Sequence, residues 1–106
     1  MNRMAAMPDL ESFRASLASA TPPAGLPALL RALWWEAKGE WDSGHEIAQE
    51  QSGADAAWVH AYLHRREGDA ANARYWYRQA GRPFPGSSLE EEWAQIVKAL
   101  LPDPSA

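Results

Sequence analysis

His60 and His64 stand four residues apart in the segment Ala57-Trp58-Val59-His60-Ala61-Tyr62-Leu63-His64-Arg65-Arg66-Glu67. On a helix, that spacing sets both imidazoles on one face, where two rings could grip a metal ion with Glu67 or His45 as third ligand. No glutamate follows His60 directly, so the H-E-x-x-H protease pattern is absent. The same spacing also fits a hydrogen-bonded or solvated surface pair, which asks less of the chain. Acid or base work by either ring is chemically possible, but no serine or other nucleophile is placed with them by sequence. No catalytic residue is therefore assigned.

Two other clusters carry charge. Asp42, Glu46 and Glu50 recur every four residues, but with no neighbour to raise a carboxyl pKa they read as a solvated helix face. Tyr75, Arg78 and Arg82, with Arg74 beside them, place an aromatic ring among arginines, a combination that could stack bases and hold phosphates. The formal charge of −4 counts against nucleic acid as the partner. The stretch Glu36–Asp55 is acidic and His60–Arg82 is basic, so mutual attraction of the two explains the arginines more simply.

These residues must be positioned by helices. Pro8, Pro22, Pro23 and Pro27 precede a stretch without proline that lasts until Pro83, alanine is frequent throughout, and β-branched residues are few. The periodicity predicts six helices. The first covers about Asp9 to Ala20, with Leu10, Phe13 and Leu17 on one face, and the second about Leu26 to Lys38, with Leu30, Leu33, Trp34 and Ala37 inward. The third covers Trp41 to about Gln51, burying Gly44, Ile47 and Ala48. The fourth, about Asp55 to Glu67, turns Trp58, Val59, Tyr62 and Leu63 inward and ends at Gly68, a candidate left-handed cap. Asp69 caps a fifth with Ala73, Trp76, Tyr77 and Ala80 on its face. Ser88 and Glu91 form a capping box for a sixth, which carries Leu89, Trp93, Ile96, Val97 and Leu100.

The 106 residues read as one domain, with segments 1–7 and 102–106 as frayed tails. At 46% apolar and 23% charged residues, with six tryptophans, the chain has the material for a core. It has no cysteine, hence no disulfide and no thiolate metal site, which fits a reducing cytoplasm. Residues Met1–Met7 lack the apolar run of a signal peptide, and no segment has the length needed to span a bilayer. A cytoplasmic protein without membrane attachment is expected.

Sliding the sequence on itself by 29 residues sets Gly39-Glu40 on Gly68-Asp69 and Gly44 on Ala73. It also sets Leu30, Leu33 and Trp34 on Val59, Tyr62 and Leu63. Two helical hairpins of like design are implied. The second, from Ala61-Tyr62-Leu63 through Gly68-Asp69 to Ala80, resembles a tetratricopeptide or Sel1-like repeat. Gly68, Ala73, Tyr77 and Ala80 fill the small, small, aromatic and small positions, and Pro83 stands where the repeat would end. The segment Ala57–Asp69 is also similar to a group of small uncharacterised bacterial proteins. The repeat resemblance implies an all-α solenoid fragment, two antiparallel hairpins with terminal capping helices, that offers a surface to a partner.

The same shift maps His60, His64 and Glu67 onto Arg31, Trp35 and Lys38, and both triplets oppose the apolar arcs of their helices. In tetratricopeptide-like solenoids such a stripe lines the concave groove. The expected function is therefore a non-catalytic interaction module. It would bind a peptide or partner protein through Arg31, Trp35, Lys38, His60, His64 and Glu67 without a cofactor, unless Trp35 instead packs under a terminal helix. The alternative, from another class, is a small metal-binding protein or metal-dependent enzyme centred on His60 and His64, with His45.

Overall fold

A computed structural model describes residues 9–102; of the tails expected to fray, 1–7 and 103–106 lie outside the described residues. Six helices follow in order: α1 (Leu10–Ser16), α2 (Ala28–Ala37), α3 (Trp41–Gln49), α4 (Ala54–Arg66), α5 (Ala70–Ala80) and α6 (Leu89–Leu100). The described residues are all-α, and none of their helices is long and apolar enough to cross a membrane.

Local chemistry explains most helix ends. Asp9 accepts from the Ser12 amide at 2.8 Å and opens α1. The expected extension of α1 to Ala20 does not form. After Ser16 the amides of Leu17, Ala18 and Ser19 bond three residues back rather than four. The Ser16 hydroxyl, bonded to the Phe13 carbonyl, is itself claimed by the Trp34 indole at 3.0 Å. Gly39 and Gly68, both at φ +88°, close α2 and α4 with the same turn. The Gly39 and Gly68 amides reach Glu36 and Arg65, and the next amides, Glu40 and Asp69, reach back to Trp35 and His64 at 2.9 Å each. The equivalence holds at the 29-residue shift. Ser88 and Glu91 make the expected capping box.

The helices pair, α2 with α3 and α4 with α5, while α4 also meets α2, α3 and α6, and α1 rests on α6. Between Ala56 and His64 every residue of α4 is buried, so this helix is the axis of the molecule. Phe13, Leu30, Leu33, Trp34, Val59, Leu63, Tyr77, Ile96 and Val97 fill the space around it. The sixth helix lies across both pairs. Its Trp93 donates to the Leu33 carbonyl and sits 5.7 Å from the Phe13 ring. One expected core position, Ala37, is exposed at the end of α2. Trp76, like Leu10, Leu17, Ile47, Ala80, Leu89 and Leu100, is partly buried at the margin of the core.

The acidic and basic segments touch through one described ion pair, Arg66 with Glu36 at 3.3 Å; Arg65 and Arg66 otherwise turn to Glu92 and Glu90 of α6.

Gly44 sets how closely α2 and α3 approach. A Cβ there would lie 2.6 Å from the Ala32 carbonyl oxygen, a backbone atom that cannot swing aside. At the equivalent place in the second pair Ala73 is fully buried, so α4 and α5 leave room for a methyl. Gly44→Ala should cost about 1–3 kcal/mol by forcing the first pair apart. In a domain of this size each kcal/mol lowers the Tm by about 4–8 °C. A Gly44→Ala variant melting with the parent would contradict this packing.

Candidate metal centre

Three histidines converge where α3, α4 and α5 meet. His45 comes from α3, one turn after Trp41. The Trp41 indole donates to the Leu63 carbonyl at 2.7 Å, which fixes that turn against α4, and its ring stacks on His45 at 4.8 Å and 11°. His60 and His64 stack on each other at 5.0 Å and 18°, as their spacing on α4 requires. Trp76 of α5 covers His60 from the far side at 4.0 Å and 11°. His45 meets both α4 rings edge-on.

His45 Nε2 lies 3.0 Å from His60 Nε2, so one of the two nitrogens donates a proton and the other accepts it. His64 Nδ1 lies 2.8 Å from Glu67 Oε2. A carboxylate there selects the Nδ1–H tautomer and leaves the lone pair on Nε2, the nitrogen with no hydrogen-bond partner among the described residues.

His60 and His64 are 8% and 9% exposed. The reading of a solvated surface pair is thereby corrected. A face that opposes Val59, Tyr62 and Leu63 on the helical wheel is buried all the same, because α4 is covered from every side. Burial, with His45 and His64 as like-charged neighbours, pushes the His60 imidazole down to about 4. Burial and His64 lower His45 also. Both rings are thus neutral at physiological pH, the form that binds metal.

The donor set fits a transition metal. The three ligand nitrogens lie within 4.8 Å of one another. A tetrahedral zinc with bonds of about 2.0–2.1 Å holds its ligand atoms about 3.3 Å apart. The closest pair is already near that separation, and the third requires a side-chain shift of roughly 1.5 Å. Glu67 behind His64 is the outer carboxylate that commonly orients a ligating histidine. His64, Glu67 and Asp69 also lie close together, but Asp69 is engaged as the α5 cap, bonding the Asn72 amide and side chain.

The other residues singled out by sequence lie elsewhere. Arg31 donates to the Leu26 carbonyl at 2.9 Å, and Lys38 to the carbonyls of Leu17 and Ser19 at 2.7 and 2.9 Å. Trp35 is half-buried, edge-on to Trp34. A cavity of about 450 Å³ that His60 borders is lined by Ser52, Gly53, Ala57, Trp76 and Gln79 among others, and neither Arg31 nor Trp35 reaches it. Asp42, Glu46 and Glu50 are exposed, as a solvated face should be. Of the arginine cluster, Arg82 lies over the Trp58 ring at 3.4 Å, while Tyr75 stays exposed. Sequence reasoning gave Trp41 and Trp76 no part in the site; Trp41 stands four residues before His45 on α3, a local signal that could have found it, whereas Trp76 reaches His60 from another helix and carries none.

Comparison with protein-family models, with curated proteins and with solved structures finds no match to this chain.

The histidine burial has a consequence for acid stability. The unfolded chain protonates His60 near 6.5, whereas the folded chain resists until about 4. Stability of the metal-free protein should therefore fall as pH drops across that window, by roughly 3 kcal/mol in total. Glu36, whose carboxyl is pushed up by burial, works in the opposite direction. Urea midpoints between pH 7 and pH 4.5 should show the loss. A His60→Gln variant should lack most of the slope, and an unchanged slope would contradict the assignment to His60.

Proposed function

We propose that this protein binds one divalent transition-metal ion, zinc foremost, through His45, His60 and His64. The observation that carries the reading is the convergence of three imidazoles from two helices, two of them 3.0 Å apart, in a site where burial keeps His45 and His60 neutral. Three protein nitrogens with no fourth ligand beside them among the described residues form the donor set of zinc sites that keep a position for water or a small ligand. When bound, the metal would lower the pKa of such a water. The protein's part is to hold the rings: Trp41 and Trp76 clamp the outer faces, and Glu67 sets the His64 tautomer. A bound ion would also tie α3 to α4, so its binding energy adds to the stability of the fold.

For the architecture, we read the two helix pairs as a tetratricopeptide-like or Sel1-like repeat pair. Support comes from the turn shared by Gly39 and Gly68 at the 29-residue shift. A peptide-binding groove through Arg31, Trp35 and Lys38 has less behind it, since the heads of Arg31 and Lys38 are engaged by main-chain carbonyls.

The test is elemental analysis of protein purified without a histidine tag, followed by zinc titration. One zinc per chain is expected, with thermal stabilisation of about 2.7 kcal/mol at a hundredfold excess over Kd. His60→Ala should abolish stoichiometric binding, and Glu67→Ala should weaken it about 10- to 100-fold. Affinity should fall with pH as protons compete for the imidazoles. A parent protein that neither retains zinc nor is stabilised by it would overturn the reading.

A further inference from the structure

A second set of buried polar groups lies on the other side of α4. Tyr62 and Arg66 leave that helix roughly 200° around its axis from His60 and His64. With Arg14 of α1, Leu17 just after it, Glu36 of α2 and Trp93 of α6, they border a cavity of about 350 Å³, within the size range of small-molecule sites. The carboxylate of Glu36 borders this cavity with its side chain 3% exposed.

That carboxylate is loosely held. Glu36 Oε1 accepts from the Tyr62 hydroxyl at 3.2 Å, and Oε2 faces Arg66 Nε at 3.3 Å. Charge-assisted bonds normally close to about 2.7–2.9 Å, and a carboxylate offers about four acceptor positions. Arg66, 42% exposed, divides its head between Glu36 and Glu90, the latter at 3.6 Å, so its charge answers Glu36 only in part. On the aromatic wall the Arg14 guanidinium lies 5.8 Å from the Trp93 ring centre, so the part of the cavity left for a second cation is the end beside Glu36. Leu17 and Ala37 supply apolar surface for a stem.

We propose that this cavity binds a small organic cation, a primary ammonium or guanidinium on a short apolar stem, with Glu36 as its anionic anchor and Arg66 as the internal group it displaces. Burial pushes the Glu36 carboxyl above its usual range, Arg66 and Tyr62 pull it back, and an incoming cation would take over the part that Arg66 supplies. The site is independent of the histidines.

Calorimetric titration of the full chain with n-butylammonium, methylguanidinium and butyrate tests it. Both cations should bind and butyrate should not. Glu36→Gln should weaken the cations about tenfold or more, equivalent to 1.4 kcal/mol. Because that change also removes a charge that pairs α2 with α4, Arg66→Ala is the second variant. Removing the internal competitor should tighten n-butylammonium by about fivefold, whereas a purely structural ion pair would give no gain. Added zinc should leave these affinities unchanged, which keeps the result separate from that of the metal site. Failure of both cations to bind parent and Arg66→Ala, preference for butyrate, or weaker binding by Arg66→Ala would each overturn the proposal.

Discussion

The enclosure of α4 is the constraint on which the rest of the molecule depends. A helix buried from Ala56 to His64 has no solvent-facing side, yet its sequence carries Trp58, His60, Tyr62 and His64 along that stretch, followed by Arg65 and Arg66. A polar group taken from water into such a place must be answered by another group of the protein. Three of the four helices packed on α4 therefore present a polar side chain to it: His45 from α3, Glu36 from α2 and Glu92 from α6.

The three answers differ in completeness. Glu92, 1% exposed, accepts from the Trp58 indole at 3.2 Å, from the Tyr77 hydroxyl at 2.7 Å and from Arg65 at 2.8 Å. Arg65 also holds the Ser87 carbonyl, which fastens the loop before α6. That cluster is closed, and its role is to join α4, α5 and α6. Glu36 has two long contacts, and the histidines have a nitrogen without a partner. Satisfied networks rigidify a core, while incompletely satisfied ones keep capacity for a ligand. The proposed metal and cation sites rest on this difference rather than on any shared motif.

How far the sequence discloses this follows from the range of each interaction. Asp69 bonding the Asn72 amide, the Ser88–Glu91 box and the left-handed Gly39 and Gly68 depend on residues a few positions apart, and all were readable. So was the pairing of His60 with His64, and His45 stood among the possible third ligands. The burial of His60 and His64 was not readable, because a helical wheel reports polarity and not how many neighbours surround a helix. For the same reason Trp76, on an apolar arc, reads as core but stacks on His60 instead. Glu92 gave a partial signal: it lies inside the stripe formed by Leu89, Trp93 and Ile96, where a charge must find partners. Glu36 gave none. Its burial is set by α4 and α6, which follow it by more than a turn of sequence in every case.

The central claim is that α3 and α4 present three imidazoles to one ion while leaving it an open position. X-ray absorption at the zinc edge of the stoichiometrically loaded protein tests this most directly. The account predicts a first shell of nitrogen and oxygen at about 2.0–2.1 Å, with outer-shell scattering from three imidazole rings and one lighter ligand without a ring. A shell with one imidazole or none, the rest being carboxylate or water, would contradict it and show that zinc binds to surface acids instead.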